Sequence, residues 1–315
     1  MVMFLTCIAR LGNKQNKMTA EQDMVTLFCS LKPFNAHNAI IQRNALNNWS
    51  HIPGITAILL GNDVGVAEAA AEFGFDHISD ISLSEYGTPL LDDIFNKAQT
   101  YAKTRLVCFI NGDILLPYDF ATVAEAVADR LPRFLMVGAR WDVDVTEPLD
   151  FSQGFSVLEE IRQDRGLPHP PAGSDYFLFP KGMIDYMPPF RIGRQGWDNW
   201  LIGKTLRLKI PVVDATERIT ILHQNHDYKH VPGGISDSWL GAPESTQNMS
   251  LIRDDALIDS RPYVLADASH YLVKNDVAIH SRRLILLLTR FKQKITVSLP
   301  YRAMRKILRL SGLLP

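Results

Sequence analysis

The chain has 315 residues, 46% of them hydrophobic and 21% charged, with a formal net charge of −1. This is ordinary globular composition, enough for one large domain or two small ones. No stretch reaches the roughly 18 unbroken apolar residues of a membrane span, and Cys7, Cys29 and Cys108 have the spacing of neither a zinc site nor a disulfide framework.

Residues 1–23 read as an N-terminal extension. Their apolar start lacks the basic leader of a secretory signal, and Met18 is a second candidate start. Residues 24–31 (MVTLFCSL) form the first expected core strand, broken by Lys32-Pro33-Phe34-Asn35. Residues 38–49 carry Ile41, Ala45 and Trp49 at helical spacing. Residues 55–60 (ITAILL) are a second strand, ending in Gly61-Asn62-Asp63. Residues 64–73 are an alanine-rich helix, and 77–79 a short third strand. Thr88-Pro89 reads as an N-cap and first helical residue. The stripe that follows is Leu91, Ile94, Phe95, Ala98, Tyr101 and Ala102. Residues 106–110 (LVCFI) are a buried strand, 118–130 a helix and 134–137 another strand. Cys29 and Cys108 fall in these strands as buried thiols, which suits a reducing cytoplasm.

This alternation of β and α in short units predicts an α/β fold: a Rossmann-like, mostly parallel sheet with helices on both faces. The dinucleotide fingerprint and the P-loop are both absent. Beyond Ala139 the pattern loosens. Residues 140–171 read as a polar, irregular loop, 175–179 (DYFLF) as a strand, 197–208 as a helix, and 212–213 and 218–222 as further strands. The expected division is a donor-binding half over 24–140, a loop-rich acceptor-binding half over 141–280 and a basic tail over 281–315.

The organising stretch is 106–116, where a strand stops at Asn111-Gly112-Asp113. Ligands in open α/β sheets sit beyond the carboxyl ends of strands, and a carboxylate there can hold a cation shared with a phosphate. Asn-Gly is equally a turn dipeptide. Lys32, Asn35 and Asp63 follow the other strand ends and are candidates for contacting a nucleotide. Trp197-Asp198-Asn199-Trp200 opens a helix: Asp198 is either a catalytic carboxylate or a cap, and the tryptophans either site or core. His223, His226 and His230 form a dense cluster after a strand, without zinc spacing. Ser174 and Asp175 enter a strand as turn or site residues.

In these motifs the chain resembles the GT-A, or nucleotide-diphospho-sugar, glycosyltransferases. Their donor half lacks the dinucleotide fingerprint and ends a core strand in a short Asp-x-Asp motif that binds Mg²⁺ or Mn²⁺ with the donor diphosphate. Asn111-Gly112-Asp113 occupies that place over a resemblance spanning roughly residues 24–230, with Asn111 departing from the first aspartate. The resemblance implies a donor and cofactor site of Lys32, Asn35, Asp63, Asn111 and Asp113, with metal ligands Asp113, His226 and His223. It also implies a catalytic base Asp198, and an acceptor site at Ser174, Asp175 and Trp197. The partners implied are a nucleotide-diphospho-sugar and a glycan or lipid-linked acceptor, and no nucleic acid. A nucleotidyltransferase and a catalytically silent carbohydrate-binding relative are the alternatives. The first is disfavoured because the loop after the first strand holds no glycine.

Residues 281–315 hold nine Lys and Arg and no acid, leaving 24 basic and 34 acidic side chains in the first 280 residues. From Tyr301 onward, Met304, Ile307, Leu308 and Leu310 share one helical face opposite Arg302, Arg305, Lys306 and Arg309. The expectation is an interfacial helix on an anionic membrane surface, hence a cytoplasmic enzyme peripheral on the inner face of the membrane.

Overall fold

The structure is a computed structural model that describes residues 23–170, 173–226, 242–259, 261–273 and 279–281. The basic tail beyond Ser281 lies outside the described residues, as do His230 and Cys7. No helix among the described residues is long and apolar enough to cross a membrane.

Short, continuous apolar runs give strands buried on both faces. β1 (Val25–Ser30), β2 (Ile55–Leu60) and β4 (Leu106–Ile110) are almost wholly buried, and β3 (Asp76–Ile78) completes one flank. They join β6 (Leu135–Val137), β9 (Tyr176–Pro180), β10 (Val212–Asp214), β12 (His270–Leu272) and β13 (Ile279–Ser281). The nine-stranded order is β13-β12-β10-β6-β9-β4-β1-β2-β3. The sheet is mostly parallel. β9 runs antiparallel between β4 and β6, and β13 is antiparallel at the edge. Strands from both sides of residue 140 therefore share one sheet.

α1 (Ala36–Ser50), α2 (Val66–Phe73) and α4 (Phe120–Ala128) pack over one face of this sheet through Trp49, Ala69 and Phe120. α3 (Leu91–Tyr101) and α6 (Trp197–Arg207) cover the other face through Phe95 and Trp197. A second, four-stranded sheet runs β5 (Ile114–Leu115), β11 (Ile221–Gln224), β7 (Arg140–Val143), β8 (Leu167–Pro168). α5 (Ser156–Arg165) packs on its apolar cluster, and α7 (Pro243–Asp254) closes the far side of α6.

Three expectations are corrected. Residues 140–171 are not an irregular loop: they contain β7, α5 and β8, and β7 pairs with β11, remote in sequence. Thr88-Pro89 does not cap α3, which starts at Leu91. Pro89 and Leu90 are instead held in bridges to Leu83 and Arg191, and the Thr88 hydroxyl donates to Glu244 at 2.8 Å. Tyr101 is 59% exposed and drops out of the apolar stripe, while Leu91, Ile94, Phe95, Ala98 and Ala102 are buried.

Candidate active site

β2 and β3 lie to one side of β1 and β4 to the other, so the sheet has its switch point between β1 and β4. Beyond the strand ends there lies a cavity of about 800 Å³, the place and size expected of a small-molecule site. One wall comes from the strand ends: Leu31 and Lys32 after β1, Asp63 after β2, and Asn111 to Asp113 after β4. Another comes from the start of α6 with Met249 and Ile252 of α7.

Asp113 leaves β4 and immediately enters β5, whose Ile114 pairs with His223 of β11. The Gln224 backbone N–H donates to Asp113 O at 3.1 Å, and its buried side chain donates there too. This pairing brings together residues far apart in sequence. His226 Nε2 lies 3.2 Å and His223 Nε2 3.8 Å from Asp113 Oδ2. The three offer ligand atoms within 4.8 Å of one another. Burial works to raise the Asp113 carboxyl. The His223 charge, the hydrogen bond from His226 and the Lys32 charge outweigh it and hold the group well below the usual carboxylate range. Asp113 Oδ1 is buried and has no hydrogen-bond partner among the described residues. A buried carboxylate oxygen without a donor is costly. With two imidazoles beside it, the set fits a divalent cation. Gly112 belongs to the same turn: a Cβ there would meet Leu31 Cδ2 at 2.3 Å.

Behind this trio is a polar web. Asp142 Oδ1 receives Arg140 Nε at 2.9 Å and lies 3.1 Å from His223 Nδ1, and its Oδ2 receives His169 Nδ1 at 2.6 Å. Arg140 also donates through Nη1 to both oxygens of Asp175, at 2.7 and 2.8 Å. Asp175 in turn accepts Asn111 Nδ2 at 2.8 Å. That bond fixes the Asn111 amide with its nitrogen toward Asp175. Two carboxylates at this separation would repel, so the asparagine suits its neighbour.

Asp198 stands in the first turn of α6, whose N-cap Gly196 has φ +99°. A Cβ on Gly196 would meet Ile252 Cδ1 at 2.7 Å, so α7 covers the backbone at this helix start. The Asp198 carboxyl, part-buried on the cavity wall, is raised by burial to about 6, against the opposing pull of backbone N–H groups. Glu244, 4% exposed, ties α7 to the neighbouring loops by accepting Ser84 Oγ at 2.6 Å, Thr88 Oγ1 at 2.8 Å and Arg194 Nη2 at 2.7 Å.

The cavity wall includes Lys32, Asp63, Asn111, Asp113, Ser174, Asp175, Trp197, Asp198, His223 and His226. Asn35 is not on it: it is exposed at the start of α1, and Asn38 and Gln42 reach the wall instead. Gln42 brackets the Lys32 backbone, accepting from its N–H at 2.7 Å and donating to its carbonyl at 2.9 Å. Asp175 is 4% exposed and committed to Arg140 and Asn111. Trp197 packs against Phe95, Phe109 and Phe177 as well as lining the cavity. Arg140, Asp142, His169 and Glu244 were not singled out in the sequence. The alternation Arg140-x-Asp142, which puts both on one strand face, is the one signal that could have marked them.

The α/β fold thus places at its switch point a cavity whose wall carries three groups able to hold a metal ion and a carboxyl raised by burial. No protein-family model and no curated protein matches the sequence. Among solved structures, the chain is similar to TarS from S. aureus at 12% identity and TM-score 0.30, covering 40% of this chain and 38% of that one; TarS has also been solved with UDP and with UDP-GlcNAc. It is similar to the mannosyltransferase PcManGT from Pyrobaculum calidifontis, in complex with GDP-Man and Mn²⁺, at 15% identity and TM-score 0.40, covering 64% and 57%. These neighbours are glycosyltransferases of the GT-A type, and the match spans less than two thirds of either.

Proposed function

We propose that the protein is a glycosyltransferase that moves a sugar from a nucleotide-diphospho-sugar to a hydroxyl of a glycan or lipid-linked acceptor. The observation that carries this reading is one cavity whose wall presents both a metal-ligand set and, across from it, the Asp198 carboxyl, which burial raises. Asp113, His223 and His226 would hold the cation. Two imidazoles among three ligands favour Mn²⁺ over Mg²⁺, which prefers oxygen. When bound, a divalent cation supplies positive charge to a donor diphosphate as negative charge develops on it. Lys32, close enough to act on the Asp113 carboxyl, adds positive charge at the same wall. Asp63 and Asn111 present polar groups where the nucleoside would lie. Asp198 takes the proton of the acceptor hydroxyl, for which a carboxylate with a raised pKa is suited. Ser174 and Trp197 line the acceptor side. A nucleotidyltransferase, whose attacking phosphate needs no base, would leave Asp198 without a task.

Calorimetry with UDP-, GDP- and dTDP-sugars, with and without Mn²⁺, tests this together with a product assay. Mn²⁺-dependent binding of one donor and release of the nucleoside diphosphate is expected. In a parallel assay with a nucleoside triphosphate and a sugar phosphate, pyrophosphate release would establish the nucleotidyltransferase; no binding of any donor would establish the silent relative.

The same reading places the enzyme at the inner face of the membrane, where a lipid-linked acceptor is found. Its support is the nine cations of residues 281–315, each contributing on the order of 1 kcal/mol at an anionic surface. Full-length protein should float with anionic liposomes at low salt and should fail to do so once residues 281–315 are deleted. Flotation retained after the deletion would refute it.

A further inference from the structure

Asp142 stands outside both the ligand set and the cavity wall, yet three nitrogens converge on it. Arg140 Nε and His169 Nδ1 donate to it, and His223 Nδ1 lies 3.1 Å away. The fold imposes this meeting. Asp142 and His223 are register partners in the β7–β11 ladder, so their side chains leave the sheet on the same face. Arg140, two residues earlier on β7, shares that face. His169 follows β8, and its backbone N–H donates to the Arg140 carbonyl at 3.0 Å. The carboxylate is thus clamped on both oxygens before His223 reaches it.

An imidazole nitrogen facing a carboxylate is a donor. With Nδ1 turned to Asp142, His223 keeps a proton there, and a cation held beside Asp113, 3.8 Å away, would take the Nε2 lone pair in place of the second proton. The 3.1 Å approach of Nδ1 falls outside ideal hydrogen-bond geometry, so the pair is held by distance and charge as it stands. Carboxylates in this relation to a ligating histidine fix its tautomer and orientation. We infer that Asp142 is a positioning residue for the metal centre: it holds His223 as an Nε2 ligand, while Arg140 and His169 hold Asp142. The inference rests on the metal-dependent reading above and goes beyond it in making the second imidazole ligand conditional on a residue that touches no substrate.

The test uses full-length protein and Mn²⁺ alone. Titration followed by electron paramagnetic resonance gives the affinity, and electron spin-echo envelope modulation counts coordinated imidazole nitrogens. Wild type should show two. Asp142→Asn should weaken Mn²⁺ binding about ten- to a hundredfold and reduce the count to one, with a cooperative thermal melt retained. In a His223→Ala background the same substitution should cost nothing further, an outcome a merely structural role would not produce. Wild-type affinity with two nitrogens in Asp142→Asn would overturn the inference while leaving the metal reading intact. A wild-type protein that binds no Mn²⁺ would overturn the metal reading and the inference with it. Should Asp142→Asn fail to melt cooperatively, His169→Ala takes its place: weaker Mn²⁺ binding supports the clamp, and unchanged binding refutes it.

Discussion

The cavity sets two aspartates against each other. Asp113 sits where strand ends meet the small sheet, and imidazoles and Lys32 hold its carboxyl low despite burial. Asp198 sits at the start of a helix under α7, with no cation among the influences on it, and burial lifts it to about 6. The side chain is the same and so is the surrounding cavity. What differs is whether positive charge accompanies the loss of water, and under the proposed function that difference suits one group to holding a cation and the other to moving a proton.

The strongest break of this comparison is Asp113→Ala. It should abolish Mn²⁺-dependent donor binding by calorimetry, with a cooperative melt retained. Equal affinity in mutant and wild type would remove Asp113 from the metal centre. Next comes Asp198→Asn, which should lower kcat by roughly 10²- to 10⁴-fold and leave donor affinity within a few-fold. The sign of the pH dependence follows from the upward shift. The base is ionised above about 6 and protonated below it, so wild-type kcat/KM should fall as pH drops through about 6. A profile flat from pH 8 to 5 would show that Asp198 is a cap.

Glu244→Ala sharpens the same contrast. It strands Arg194 and frees α7 from two hydroxyls, at a cost of about 3 kcal/mol readable in a denaturant melt. Water reaching Asp198 should then move the acid limb below 6, and an unmoved limb would show that α7 does not keep this carboxyl dry. The smallest effect is expected for Asn111→Asp. It restores a second acid beside Asp113, but it also faces Asp175 across the 2.8 Å now bridged by a hydrogen bond. Mn²⁺ affinity should not rise, stability should fall by about 1–2 kcal/mol, and Asp175→Asn in the same chain should recover part of that loss.

The sequence made β1, β2 and β4 plain because each is a short apolar run cut off by polar residues. It also marked Asp113, Asp198 and the two histidines, since their positions follow from where elements end. Thr88-Pro89 misled because its capping chemistry was real but captured by Glu244, a partner remote in sequence. Residues 140–171 looked irregular because β7 completes its pairing with β11, some eighty residues on, and β8 is only two residues long. For the same reason Asp142 and His169 gave no signal: an isolated acid and an isolated histidine acquire meaning only once β7, β8 and β11 are side by side. Asn35 was placed by proximity to a strand end, whereas the helical turn of α1 carries Asn38 and Gln42 to the wall instead.

β9 has a consequence for synthesis. It is the antiparallel strand between β4 and β6, and it covers the flank of β4 that β1 does not. During translation the LVCFI strand emerges well before its second partner, and until residue 180 has left the ribosome it is the edge of a growing sheet. Apolar strands with an open edge template pairing with other chains, and pairings that wait on distant segments form slowly. A nascent or truncated chain ending between β7 and β9 would expose that edge with its ligand-bearing turn still unformed. The strand that ends in the candidate metal ligand thus also needs shielding while the protein is being made.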